Sequence, residues 1–175
     1  MIHRPFLAAL AAAAIALPAQ AQTVVLVRHG EKAGPTGDVD LSAAGQARAQ
    51  ALAGALSGAK VTLVIATPLK RTKQTAQPTA QAAGVAITPI GFEGGDAAHV
   101  QRVAERARQA RAGATVLIVA HSNTLTQIAR ALGDPAPVVL TDCDYDTMTV
   151  LELDGAATRA LHARYGAATQ SCPGG

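Results

Sequence analysis

Thr23-Val-Val-Leu-Val-Arg-His-Gly-Glu31 sets an unbroken β-forming run directly before a cation, an imidazole and a glycine. A run with no polar alternation reads as a strand buried on both faces, the kind found in the middle of a parallel sheet. Such a strand delivers Arg28 and His29 to its carboxyl end, and Gly30 lets the backbone turn away at once. An imidazole beside a fixed guanidinium is discouraged from protonating, so a neutral ring nitrogen is free to attack phosphorus. The guanidinium can grip phosphate oxygens in bidentate fashion.

Upstream, Met1 to Pro5 carries Arg4, Phe6 to Leu17 is an alanine-rich apolar run, and Pro18 ends it. Ala19-Gln20-Ala21 has the small-x-small pattern of a signal peptidase site, and the apolar run is too short for a good membrane span. Segment 1–21 therefore reads as a secretory signal. The mature chain, 22–175, is expected to be a single domain, exported to a periplasm or secreted, with no stable membrane insertion after cleavage.

The sequence has 175 residues, 49% apolar, 2% aromatic and 15% charged, with a net charge of +3. That is enough for one domain with a real core, built from Val, Leu, Ile and Ala. No long basic run stands out, so nucleic acid is not an expected partner. Cys143 and Cys172 suit either a disulfide in an oxidising compartment or two free thiols, and they do not suggest a zinc site. No oligomeric interface is legible.

Downstream of Gly30, helix and strand patterns alternate. Ala33 to Asp40 is a loop, and Ser42 is placed to cap a helix through about Leu56. Val61 to Ala66 is a second buried strand. Pro68 starts a helix to Ala83, kinked or broken at Pro78 and stopped by Gly84. Val85 to Ile90, interrupted by Pro89, reads as a strand near an edge. Gly91 to Gly95 is a loop, and Asp96 caps a helix to Arg111. Thr115 to Ala120 is a fourth buried strand, followed by a helix from about Asn123 to Leu132. Gly133 to Asp146 is a loop, and Thr147 to Leu153 and Thr158 to Arg164 frame a hairpin at Asp154-Gly155. The pattern predicts an α/β three-layer sandwich, with a mostly parallel central sheet flanked by helices.

In such sheets ligands bind beyond the carboxyl ends of the strands. Three polar clusters fall there: Arg28-His29-Gly30-Glu31, Thr67 to Arg71, and His121-Ser122-Asn123. Arg71 lies in the first turn of a helix, where free N–H groups and the positive dipole end also favour an anion. Lys70 and Lys73 read as solvated. His121 is placed to stabilise charge on a phosphoryl group. Two other chemistries fit parts of the pattern. A serine hydrolase would use Ser122, but a nucleophile elbow wants glycine where this chain has Ala120 and Thr124. A non-catalytic phosphate-ligand-binding module would keep the arginines and need no nucleophile.

The same motifs resemble those of the histidine phosphatase superfamily, the clan that includes phosphoglycerate mutases. Leu26-Val-Arg-His-Gly-Glu31 is similar to its Arg-His-Gly signature, and Leu41-Ser42 with Gly45 to its Leu-Ser/Thr-x-x-Gly helix start. Thr67-Pro-Leu-Lys-Arg-Thr-Lys-Gln-Thr-Ala76 resembles its Ser/Thr-Pro-x-x-Arg-x-x-Gln-Thr-Ala segment, and Val119-Ala-His-Ser-Asn-Thr124 its second-histidine motif. Four motifs in order are specific where one is weak.

The resemblance implies a phosphoglycerate mutase-like fold and a phosphomonoester hydrolase acting through a phosphohistidine on His29. Arg28, Arg71 and His121 would form the phosphate pocket. A small phosphorylated substrate is implied, and neither a metal nor an organic cofactor. The family often takes its proton donor from between the third strand and the next helix, where Glu93 is the candidate here and Asp96 the alternative. Asp142, Asp144 and Asp146 read as turn formers. Ala120 departs from the family's glycine before the second histidine. The chain lacks room for a large cap insertion, so an open pocket is expected, and hydrolysis is expected to prevail over mutase chemistry.

Overall fold

In a computed structural model that describes residues 21–155 and 157–169, the chain runs β1 (Gln22–Arg28), α1 (Ala43–Ala55), β2 (Val61–Ala66), α2 (Lys70–Ala83), β3 (Ile87–Pro89), α3 (Gly95–Arg108), β4 (Thr115–Ala120), α4 (Ser122–Ala131), β5 (Thr147–Asp154) and β6 (Ala157–Arg164). All of the expected leader except Ala21 lies outside the described residues, as does Cys172.

One six-stranded sheet has the order β3-β2-β4-β1-β5-β6. Strands β1 to β4 are parallel, and β5 and β6 add antiparallel at the β1 side. Each central strand alternates its side chains between two cores, as the pleat requires. Val24, Leu26, Leu63, Ile65, Val116 and Ile118 face α3 and α4, while Val25, Val27, Val64, Ala66, Leu117 and Val119 face α1 and α2. The three layers follow from this alternation.

Local chemistry explains most boundaries. Ser42 caps α1 by accepting the Gly45 N–H at 3.1 Å. Gly84 takes the left-handed conformation that ends α2. Three expectations need correction. Helix α2 starts at Lys70, past Pro68, and the Lys70 N–H donates to Asp38 Oδ1 at 2.8 Å. It then continues without a break through Pro78, because Thr75, Ala76, Thr79 and Ala80 bury on both sides of the lost backbone donor. Helix α3 starts at Gly95, with Gly94 rather than Asp96 at the cap, and ends at Arg108. Asp96 lies in its first turn and accepts from Asn123 Nδ2 at 2.8 Å.

Where β1 gives way to α1, backbone meets backbone. A methyl group on Gly30 would sit 2.8 Å from the Gly45 carbonyl oxygen, and one on Gly45 would sit 2.3 Å from that of Glu31. Gly54, in the same helix, has nothing within 4 Å of such a methyl. Gly45→Ala is therefore expected to destabilise the fold by about 2 kcal/mol or more. Gly54→Ala should stabilise it by about 0.5–1 kcal/mol. Thermal unfolding of the two variants beside wild type checks both signs.

Candidate active site

The carboxyl ends of β1, β4 and β2 lie side by side, with Arg28 in register with Ala120 and Ala66 with Val119. The next residues of all three strands therefore meet at one rim. After β1 the chain crosses to the α1–α2 face, and after β4 it enters α4 on the other face. The crevice between these departures is where an open α/β sheet binds its ligand. His29 and His121 face each other across it, edge to face, with ring centroids 5.2 Å apart.

His29 Nδ1 lies 2.8 Å from the carbonyl oxygen of Gly30. A carbonyl only accepts, so Nδ1 carries the proton and Nε2 keeps its lone pair. Burial, with the Arg28 and Arg71 charges adding to it, pushes this imidazole down to about 4. Charge beside the ring was legible in the sequence, but burial is the larger cause.

His121 Nε2 lies 3.1 Å from Thr67 Oγ1, which lies 2.7 Å from Thr72 Oγ1. The Thr72 hydroxyl donates to the carbonyls of Thr67 and Leu69, at 3.0 and 2.9 Å. Its single proton is thereby used, so Thr67 donates to Thr72, and His121 Nε2–H donates to Thr67. The Thr67 hydroxyl, rather than Ser122, is the one bonded to the ring. Burial, followed by the neighbouring His29 and Arg71, lowers His121 to about 3.

Arg28 is buried and held by the loop before β5. Its Nη1 donates to the Thr141 carbonyl at 2.9 Å and its Nη2 to the Tyr145 hydroxyl at 3.4 Å, with Asp142 at 3.9 Å. The guanidinium carbon stands 4.1 Å from the centre of the Tyr145 ring. Nε of Arg28 and Nε of Arg71 are both buried, and neither has a hydrogen-bond partner among the described residues. Two orphaned guanidinium donors beside two imidazoles are chemistry suited to an oxyanion.

Support for this rim comes from residues the motif reading left without roles. Thr75 Oγ1 accepts the Gly30 N–H at 2.9 Å and donates to the Arg71 carbonyl at 2.7 Å, tying the first cluster to the second. Arg48, buried in α1, donates from Nε and Nη2 to Glu31, the shortest contact being 2.6 Å, and from Nη1 to the carbonyls of Tyr165 and Ala167. Burial works against the Glu31 carboxylate, but its bonds to Arg48 win and hold it below the usual range.

Of the three loop aspartates, Asp144 forms the expected turn by accepting from the Thr141 N–H and hydroxyl, each at 2.7 Å. Asp146 is instead buried on Arg164, at 2.6 Å, and on the Thr169 N–H. Cys143, in the same loop, is disulfide-bonded.

The loop between β3 and α3 also reaches the rim, with the Phe92 ring 5.7 Å from that of His121. Glu93 is largely exposed and pairs with Arg102 at 3.4 Å. Asp96 holds Asn123, two residues past His121. Tyr145, Phe92 and His99 gave no sequence signal because each acts alone, through a ring contact or bond that belongs to no motif.

The sequence profile of the histidine phosphatase superfamily, branch 1, matches residues 24–91, a stretch holding three of the four motifs. The uncharacterised Mycobacterium tuberculosis protein Rv0525 is 41% identical over 78 residues, 41% of this chain and only 38% of that relative's length. Among solved structures, mycobacterial hydrolase 2 superposes with a TM-score of 0.63 at 19% identity, covering 87% of this chain and 94% of that one. Mycobacterial glucosyl-3-phosphoglycerate phosphatase does so with a TM-score of 0.58 at 19% identity, covering 82% and 97%. At that identity the likeness is one of fold. The profile match, over residues 24–91, and the shared fold make this chain similar to histidine phosphatases of branch 1.

Both rim histidines are neutral in the folded chain at pH values where an unfolded one, near 6.5, takes up a proton. The unfolded state then binds more protons, so stability falls as pH drops from 6.5 towards 3. Thermal unfolding across that window should show a steeper fall in Tm for wild type than for a His29→Asn, His121→Asn double variant. Nitrogen NMR of the His29 ring should show a proton on Nδ1 and no titration between pH 5.5 and 8.

Proposed function

We propose that the chain is a phosphomonoester hydrolase in which His29 Nε2 accepts the phosphoryl group of a small phosphorylated substrate. The observation that carries this reading is the bond from His29 Nδ1–H to the Gly30 carbonyl. It points an unprotonated nitrogen of a neutral imidazole away from the backbone, beside two arginines with unpaired Nε donors. Phosphatase activity within the superfamily fits the same reading.

In the first step the Nε2–P bond forms as the bond from phosphorus to the leaving oxygen breaks. Arg28 and Arg71 hold the equatorial oxygens, where charge is spread in the transition state. The phosphoryl charge draws a proton from solvent onto Nδ1 of His121, turning it into a donor, and that proton returns to solvent when phosphate leaves. Glu93, with Asp96 as the alternative, takes up a proton from solvent and passes it to the leaving oxygen. In the second step water attacks phosphorus and passes a proton to that carboxylate, and the P–Nε2 bond breaks. The Gly30 carbonyl steadies Nδ1–H while the ring carries the phosphoryl group. No step calls on a metal or an organic cofactor. The proposal includes export, with 1–21 removed as a secretory leader and the enzyme periplasmic or secreted, on the strength of the leader's sequence pattern.

Protein beginning at Gln22, assayed with an aryl phosphate in excess chelator, should release phosphate. His29→Ala should lower kcat/KM by roughly three orders of magnitude or more. Rapid quenching should trap phosphate on wild type in a form stable to base and lost in acid. Hydrolysis that survives His29→Ala would remove the mechanism. Phosphate-ligand binding without turnover would favour a binding module instead.

A further inference from the structure

His99 plays no part in the steps above, yet it is buried to 1% exposure in α3 with its Nε2 orphaned among the described residues. A leucine at such a site would pack without that cost. What the imidazole does there is donate. Its Nδ1 lies 2.9 Å from the Gly91 carbonyl oxygen, and Arg102 Nη2, one turn along α3, donates to the same oxygen at 3.0 Å. Burial lowers the proton affinity of His99, so the ring stays neutral with its proton on the bonded nitrogen.

The gripped carbonyl opens the loop that reaches the active site. The next residue, Phe92, stacks on the His99 ring with centroids 4.3 Å apart and planes 28° apart, and stands 5.7 Å from the His121 ring. Glu93 follows and pairs with the same Arg102. Gly94 and Gly95 then both take positive φ, at 79° and 85°, and lead into the helix turn that carries Asp96. Without the double grip on Gly91, these two glycines would let the loop sample many conformations. One carbonyl is thus fixed from the buried side of α3, and Phe92 and Glu93 follow directly from it.

We propose that His99, with Arg102, is a positioning residue for the leaving-group side of the site, holding the Phe92–Glu93 loop against His121 so that its carboxylate meets the departing oxygen. This role rests on the phosphomonoesterase reading above, with Glu93 as the proton donor.

Proton donation matters most when the leaving group is a poor one, so a positioning role predicts a selective loss. The test measures kcat/KM for a series of substituted phenyl phosphates, from nitrophenyl to unsubstituted phenyl, on wild type, His99→Leu and His99→Asn. The leucine variant removes the donor, whereas asparagine keeps an N–H close to the position of Nδ1. His99→Leu should cut phenyl phosphate hydrolysis by about tenfold or more and nitrophenyl phosphate hydrolysis by less than about threefold, steepening the dependence on leaving-group basicity. His99→Asn should restore most of the loss. In a double-mutant cycle, His99→Leu should add little to Glu93→Gln, and a steepening confined to Asp96→Asn would overturn the role.

An equal fall across the series, or no fall, overturns the positioning role while leaving the phosphatase reading intact. If wild type hydrolyses none of the series, the phosphatase reading fails and this one fails with it. Circular dichroism melts of each variant separate misfolding from misplacement. Failure of both variants to fold would make His99 a core residue and overturn the proposal.

Discussion

Between Gly30 and Gly45 there is no room for a methyl group, and that contact sets the geometry of the rim. It lets the end of β1 lie directly on the first turn of α1. The Ser42 N–H then reaches the Glu31 carbonyl at 2.8 Å, and Glu31 reaches Arg48 one turn further along. It also leaves the Gly30 N–H free to meet Thr75 in α2. The Gly30 carbonyl, turned by the same bend, receives the His29 proton. Two glycines in different motifs thus act as one joint, and the tautomer of the proposed nucleophile depends on it.

Electrostatics at the rim are governed by burial more than by charge. Arg28 and Arg71 both discourage protonation of the histidines, yet loss of solvent is the larger effect on each ring. The site stays polar because most of its groups are paired: Thr67 with Thr72, Arg28 with Thr141 and Tyr145, Glu31 with Arg48. Buried polar groups are costly unless satisfied, so the exceptions stand out. Among the described residues these exceptions include Arg28 Nε and Arg71 Nε, beside the rim histidines, and His99 Nε2 in α3.

The strands and the rim were legible because parallel topology turns a local pattern into a spatial one. Apolar runs at Thr23, Val61 and Thr115 mark three central strands, and whatever follows each must gather at one edge. Glycine and serine signals located α1 and the end of α2 for the same local reasons. Asp96 misled because an acid at a cap and an acid in a first turn look alike in sequence. Pro78 misled because the burial that sustains α2 comes from the sheet. Arg48 gave no signal because its carbonyl partners lie 117 and 119 positions away. Phe92 and His99 matter through stacking, which has no sequence period.

The grip of Arg48 on the carbonyls of Tyr165 and Ala167 has a consequence for biosynthesis. Synthesis runs from the amino end, so β1, α1 and the proposed nucleophile are made well before the partners that complete the Arg48 network, 117 and 119 positions downstream of Arg48. Tyr165 also donates its N–H to the Asp146 carbonyl, at the head of the strand that pairs with β1. A chain halted between Thr124 and Tyr165 carries every motif of the rim, yet its Arg48 lacks the two backbone acceptors that steady it. Completion of the Arg48 network therefore waits on the chain beyond β6.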